Sequence, residues 1–333
     1  MGVCGKVFIA WSRLSSRTLR YAKELGVKVI FIRDRPPYFR CLYHTIAKLL
    51  RGKYKIVFVQ LAPGPLLLIA SILKYIKRFV LVADMHSFFM LPSSLGGYLI
   101  NKPFGFFLRF CDLILIHSKE VKDSLPSSIR RKALVAYDPP IFRMKGKRKS
   151  GGDAFTIVFP ASFARDEPIE NIILAVKKLA EKGMNIRLVI TGRYERRREL
   201  LKFSDGKTII FTGYLPMDKY YDVIYSADMI AGLTKVSYSL MAVALEAMFA
   251  EKPLLLSDKP VFKAIFDRGV VYTDNTVSDL IAKISYVYKN RDLLERLGNG
   301  MAGVKLKYLA TYRAIVGKLR ELMDKICTIS TKR

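Results

Sequence analysis

The 333-residue chain is 51% hydrophobic, enough to fill two cores of ordinary size, and it carries 57 Lys and Arg against 28 Asp and Glu, a net charge of +29. The excess is uneven, because residues 1–150 hold 28 basic and 7 acidic side chains, a net of +21, while residues 151–333 hold 29 and 21, a net of +8. Such a field attracts polyanions: nucleic acid, an anionic membrane surface or a phosphorylated substrate, although a generally basic proteome would produce it without any partner.

In chain order, the apolar runs at 6–10 and 27–32 read as strands, with a helix over 16–25 between them closed by Gly26. Further strands are predicted at 56–60, 79–83, 113–117 and 133–136, separated by helices. Asp138-Pro139-Pro140 then breaks regularity, and MKGKRKSGGD (144–153) has the composition of a solvated linker. Beyond it come a strand at 156–159, a helix at 170–181, a strand at 186–191, a basic exposed helix near 194–202, a strand at 208–212 and a helix at 217–225. Helices at 277–289 and 291–301 close this part, and the tail, 306–326, is predicted as an amphipathic helix that packs back on the first domain. Alternating strands and helices define two α/β domains, 1–143 and 153–305, joined by a linker at 144–152.

The stretch YSADMIAGLTKVSYSLMAVALEAMFAEKPLLLSDK (225–259) is the most informative. It reads as a short strand (229–233), a polar loop (234–239), an amphipathic helix carrying Glu246, and a second strand (254–257) entered through Lys252-Pro253. In a βαβ unit that loop lies at the carboxyl edge of a parallel sheet, where such sheets bind ligands, and the N–H groups opening the helix face an anion. Glu246, about two turns into the helix and too far in to cap it, suits a pair of sugar hydroxyls.

No segment is predicted to span a bilayer, since the most apolar run, 66–83, is interrupted by Lys74, Lys77 and Arg78. No charged leader precedes an apolar region at the N-terminus, so no signal peptide is expected. Cys4, Cys41, Cys111 and Cys327 lack the paired spacing of a metal or redox motif and read as reduced thiols of a cytosolic protein. Residues 87–110 contain six Phe and one Tyr with only Lys102 and Arg109 and no acid, which suits either a surface that dips into lipid headgroups or an ordinary core helix after a hydrophobic loop.

Several motifs carry a resemblance. ITGRY (190–194), FTGYLP (211–216), YSAD (225–228) and LEAMFAEKPLL (245–255) resemble the C-terminal domain of GT-B glycosyltransferases of the family 4 type. FVQLAPGPLLLIAS (58–71), VADMHSF (82–88), YDPP (137–140) and SFARDEPIENIILA (162–175) narrow the resemblance to the β-1,4-mannosyltransferase branch that builds the dolichol-linked chitobiose core, with its bacterial and archaeal relatives. The resemblance implies an α/β fold of GT-B type: two Rossmann-like domains facing across a cleft, with the nucleotide-sugar donor held by the second and the acceptor by the first. It also implies that a helix-start loop takes the pyrophosphate and that Glu246 binds ribose hydroxyls. Family 4 commonly places a second glutamate eight positions before Glu246 and a glycine shortly after it. Tyr238 and Met241 stand there instead, which favours an inverting reaction. The absence of a DxD motif suits a metal-free site in which basic side chains and helix N-termini neutralise the leaving diphosphate.

On the donor side, Arg165 is either a bidentate phosphate ligand or a solvated loop arginine, and Lys235 is a second such candidate. Ser162, Gly192, Arg193, Tyr214 and Tyr238 are expected around them, with Tyr194 or Tyr214 beside the base. Arg13, after Trp11 and Ser12, occupies a place where such enzymes carry a loop over the donor phosphates. Asp166 and Glu167 read as caps of the helix that follows. Asp84 is the expected general base and His86 a contact to sugar or acceptor, each alternatively a structural hydrogen-bond partner. His117 ends a similar strand, and His44 reads as structural. The expected activity is metal-independent, inverting transfer of a hexose, plausibly mannose, from a GDP- or UDP-linked sugar to a lipid-linked or polysaccharide-precursor acceptor. No other cofactor and no nucleic acid partner is expected, and the place is the cytoplasmic face of an anionic membrane. The alternatives are a nucleotide-sugar epimerase on the same fold and a catalytically degenerate polyanion- or nucleic-acid-binding protein.

Overall fold

The computed structural model describes residues 4–86, 89, 95–140, 153–237 and 240–331. The linker expected at 144–152 and the candidate Tyr238 lie outside the described residues, as does part of the 87–110 stretch. The chain forms two units, Met1–Pro139 with Ala310–Arg333, and Pro140–Leu309.

The first unit is built on six parallel strands, β1 (Gly5–Trp11), β2 (Lys28–Ile32), β3 (Tyr54–Leu61), β4 (Val80–Met85), β5 (Leu113–Ile116) and β6 (Ala133–Val135), in the order β2-β1-β3-β4-β5-β6. Between them run α1 (Ser16–Glu24), α2 (Phe39–Arg51), α3 (Pro65–Lys77), α4 (Leu95–Asn101), a 3₁₀ segment (Lys102–Phe110), α5 (Lys119–Asp123) and α6 (Ser127–Arg130). Alternate strand residues split between two cores. Val7, Ile9, Val57, Val59 and Ala83 pack with Cys41 and Leu49 of α2 and Leu66, Leu67 and Leu73 of α3. Phe8, Phe58, Val82 and Leu115 pack with Tyr21 of α1 and with Tyr312, Val316, Leu319 and Met323 near the C-terminus. Both faces being covered explains why these strands are near-continuous apolar runs.

The second sheet is also parallel: β7 (Phe155–Pro160), β8 (Ile186–Thr191), β9 (Ile209–Gly213), β10 (Met229–Gly232), β11 (Leu254–Ser257) and β12 (Val270–Thr273), in the order β12-β11-β10-β7-β8-β9. Its helices are α7 (Ile169–Glu181), α8 (Met217–Ser226), α9 (Ala242–Phe249), α10 (Pro260–Lys263) and α11 (Val277–Lys289), followed by α12 (Arg291–Thr331). None of the described helices is long and apolar enough to cross a membrane.

Five expectations need correction. The basic segment 194–203 is 3₁₀ rather than α-helix and is kinked at Arg197, whose φ is −146°. Where two helices were expected after residue 290, α12 is continuous; its Gly300 lets Gly269 (φ +77°) approach so closely that a Cβ on Gly300 would lie 2.9 Å from the Gly269 nitrogen. Glu246 lies little more than one turn into α9, and that helix is apolar nearly all round, so it is a buried helix rather than an amphipathic one. The edge strand β12 was not expected, because Val270–Thr273 is an isolated apolar run without a helix pattern before it. Finally, Cys4 and Cys327 form a disulfide with Cα atoms 5.7 Å apart, which a sequence separation of 323 conceals. Only Cys41 and Cys111 are free thiols, both buried, and the cysteines give no argument for a reducing compartment.

Candidate functional site

In the second sheet the chain runs from β7 outward through β8 and β9, then returns to the other side of β7 with β10, so the winding reverses between β7 and β10. Open parallel sheets bind ligands outside the carboxyl ends of the strands at such a point. The loops there follow β7 (161–168) and β10 (described at 233–237 and 240–241). The first closes on itself, since Glu167 accepts from the Ser162 amide (3.0 Å) and hydroxyl (2.8 Å). Burial raises the Glu167 carboxyl above its usual range, and the Ser162 bonds oppose this only in part. Asp166 ties the two loops together. Its carboxylate accepts from the Thr234 hydroxyl (2.6 Å), and its carbonyl accepts from the Lys235 amide (2.9 Å). Neither acid caps α7, whose N-cap Pro168 makes no side-chain cap bond; the capping role expected for them is replaced by loop bracing.

The Lys235 loop is held from behind by a buried polar ring. The Thr234 amide donates to Ser257 Oγ (2.8 Å), Ser257 donates to Asn275 Oδ1 (2.7 Å), and Asn275 Nδ2 donates back to the Thr234 carbonyl (3.1 Å). Every polar atom of that ring has a partner, so its stiffness is transmitted to the loop. The result is a cavity of about 300 Å³ lined by Arg165, Lys235 and Arg197 together with Glu167, Glu170 and Glu199. Arg197 is engaged by Glu199 (3.1 Å) and Glu170 (3.9 Å), whereas among the described residues Arg165 and Lys235 pair with no acid. Sequence reasoning had placed Arg165 and Lys235 in one site but treated Arg197 as part of a solvated basic helix.

Gly192, at φ +117°, lies so close to the preceding loop that a Cβ would sit 2.0 Å from the Ala161 carbonyl oxygen, so only glycine fits. The next residue, Arg193, lays its guanidinium over the exposed Tyr214 ring at 5.0 Å. Tyr194 instead packs edge-on against Phe211. The Ser162 hydroxyl is committed to Glu167, so Ser162 shapes its loop. Glu246 does not line the cavity: its carboxylate accepts a hydrogen bond from Tyr220 of α8, a partner that no sequence signal indicated. Burial, then the adjacent Glu246 charge, push the Tyr220 phenol well above its usual value, so that it remains a donor.

In the first unit, Asp84 at the end of β4 is fully buried. It accepts from Arg17 Nε of α1 (2.9 Å), and His86 Nε2 stands 3.3 Å from its other oxygen. Arg17 also donates through Nη1 to Asp138 (2.6 Å), which anchors the YDPP segment to α1. Burial alone would raise the Asp84 carboxyl, but the charges of Arg17 and His86 more than reverse it and hold the group well below the usual carboxylate range. Asp84 has no exposed surface and both its oxygens face Arg17 and His86, which puts it out of reach of an acceptor hydroxyl, so the general-base role expected for it does not fit its surroundings. His86, with its side chain 24% exposed, is open to solvent. If Nε2–H donates to Asp84, Nδ1 carries the free lone pair. The Arg13 side chain is exposed while its carbonyl accepts from Gln60 Nε2 (2.7 Å). Trp11 is a core residue bonded to Thr45, and Ser12 bonds the Asp34 carbonyl, so neither forms a loop over a ligand. His117 is buried, and His44 lies in α2 against Tyr43.

Residues 141–302 match the family model described as Glycosyl transferases group 1. Among curated proteins no sequence matches significantly. The fold is similar to that of Anabaena HepE, solved in complex with UDP and glucose (TM-score 0.74, 12% identity, covering 95% of this chain and 99% of that one). It is also similar to a glycosyltransferase from Rickettsia africae (0.73, 12%, 98% and 99%) and to sucrose-phosphate synthase from Thermosynechococcus elongatus (0.73, 14%, 97% and 100%). Residues 141–302 thus carry a group 1 glycosyltransferase domain, and the two Rossmann-like units have the GT-B fold.

Proposed function

We propose that the protein transfers a hexose, mannose being the first choice, from a nucleoside-diphosphate sugar to a lipid-linked or polysaccharide-precursor acceptor, with inversion and without a metal. The observation that carries the donor reading is that Arg165 and Lys235, which pair with no acid among the described residues, line one cavity at the reversal point of the second sheet. There they would bind the diphosphate, with Arg197 behind them and Tyr214 beside the base, while Glu246, oriented by Tyr220, accepts two ribose hydroxyls. HepE, of similar fold, was solved with UDP and with UDP-glucose, which favours this ligand class.

In the transfer step the acceptor oxygen attacks the anomeric carbon and gives its proton to a base, for which His86 Nδ1 is the first unit's candidate. The bond from that carbon to the diphosphate oxygen breaks, and its electron pair leaves on the diphosphate, where the cavity cations stabilise it. Asp84 and Arg17 act through His86 by fixing its ring. Inversion is supported by Tyr238 and Met241 at the positions where a second glutamate and a glycine are common. Metal independence is supported by the lack of a DxD sequence.

Calorimetry with UDP, GDP and their hexose derivatives tests the donor site. Arg165→Ala, Lys235→Ala and Glu246→Gln should each weaken the preferred nucleotide by about 1.5–3 kcal/mol, the range for hydrogen bonds to charged groups. Unchanged affinity in all three would refute the assignment.

A further inference from the structure

The outer surface of the first unit carries a feature that neither folding nor transfer uses. Helices α2 and α3, the 3₁₀ segment and α4 pack side by side over one face of the first sheet and form a continuous layer. Nine of the twelve exposed large apolar side chains among the first unit's described residues lie on this layer, led by Phe39 (73% exposed) and Tyr43 on α2, Tyr75 and Ile76 on α3, Leu99 on α4 and Phe106. The same segments, 39–51, 65–78 and 95–110, contain no Asp or Glu. They do contain exposed Lys48, Arg51, Lys77, Arg78, Lys102 and Arg109. Asp112, paired with Lys74 of α3, and Asp34, which accepts from the Arg40 amide at the start of α2, border the layer, while Glu24 on α1 and Glu321 and Asp324 on α12 lie on the opposite face. With Arg40 and Lys74, the three segments hold eight basic residues and none of the first half's seven acids.

The cations are set beside the apolar groups rather than apart from them. The Arg109 guanidinium lies 3.5 Å over the Phe106 ring, and Lys102 Nζ lies 5.3 Å from the Tyr98 ring centre. A surface that exposes aliphatic and aromatic side chains among long basic ones, with no acid in its own segments and Asp112 at its edge paired with Lys74, matches the boundary between lipid headgroups and acyl chains, where the basic heads reach phosphate as the rings sink. Aliphatic Ile72, Ile76 and Leu99 offer a nucleic acid nothing on which to stack. We propose that this layer seats the protein on an anionic bilayer. The inference adds a docking surface to the transfer reading and does not depend on it, because the surface lies in the first unit and the donor cavity in the second.

The test is flotation of the full chain with vesicles of phosphatidylcholine alone and with one third phosphatidylglycerol, with calorimetric nucleotide binding run in parallel. The wild type should bind the anionic vesicles and lose binding as salt rises. Lys48→Gln with Arg51→Gln should weaken partitioning about 30-fold, at roughly fivefold per basic residue. Tyr75→Asp with Ile76→Asp should abolish binding at any salt. Arg313→Gln with Lys318→Gln, exposed on the opposite face, should change it less than about twofold. Equal binding to both vesicle types, or an equal effect of the two Gln pairs, would overturn the proposal. So would a wild type that ignores vesicles but forms a dimer that the Tyr75/Ile76 pair dissolves. Loss of nucleotide binding by the wild type, with vesicle binding intact, would count against the donor reading alone.

Discussion

Asp84→Asn separates a buried positioning carboxylate from a proton acceptor. The substitution keeps the shape and one acceptor oxygen but removes the negative charge that faces Arg17 at 2.9 Å in a fully buried site. Breaking a buried pair costs about 3–5 kcal/mol; Arg17 keeps Asp138, whose side chain is partly exposed, so the lower end applies, about 3 kcal/mol at pH 7. The pH dependence fixes the cause. The folded-state Asp84 carboxyl is held below its usual value, so its stabilisation is fully present above the unfolded pKa of about 3.9 and is lost as pH falls toward the folded value. Through this one residue, each pH unit below about 4 removes about 1.4 kcal/mol from the wild type and nothing from the variant, while the other carboxylates act on both alike. Urea titrations followed by far-UV circular dichroism should therefore show a gap between the two proteins that is about 1 kcal/mol smaller at pH 3 than at pH 7. A gap that is absent at pH 7, or the same at both values, would show that the Arg17–Asp84 pair does not hold this part of the fold.

The ring behind the Lys235 loop gives a second expectation. Ser257→Ala leaves the buried Thr234 amide without its acceptor, which should cost about 1–3 kcal/mol of stability and weaken diphosphate affinity through a loosened Lys235, whereas Ser257→Thr should recover both; full affinity in the alanine variant would contradict the positioning role. Turnover should survive EDTA, and a loss that Mg²⁺ or Mn²⁺ restores would show that a metal rather than the cavity cations carries the leaving diphosphate.

The two sheets were legible in the sequence because eleven of their strands are apolar runs bounded by turn residues, and the 225–259 stretch reads directly as β10, α9 and β11. Arg165 and Lys235 could be placed together because both follow strands that flank the reversal point. Arg197, Tyr220 and Arg17 could not. Each sits on a helical or 3₁₀ segment where its residue type is ordinary, and its partners, Glu170, Glu246 and Asp84, lie 27, 26 and 67 positions away. The role expected of Asp84 failed for a related reason: position at a strand end was readable, but burial beneath Arg17 was not. Cys4 and Cys327 are the extreme case, joined only because α12 returns to the first sheet.

The most direct measurement is transfer of radiolabelled hexose from the nucleotide sugar that binds best into the lipid extract of the producing cells, compared between wild type and His86→Ala, with donor affinity measured on the same samples. The account predicts labelled product from the wild type. It predicts that His86→Ala leaves donor affinity within about twofold while cutting turnover by roughly 10²–10⁴, the usual contribution of a positioned general base. A His86→Ala protein that transfers at the wild-type rate, or a wild type that binds donor but yields no labelled product, would contradict it.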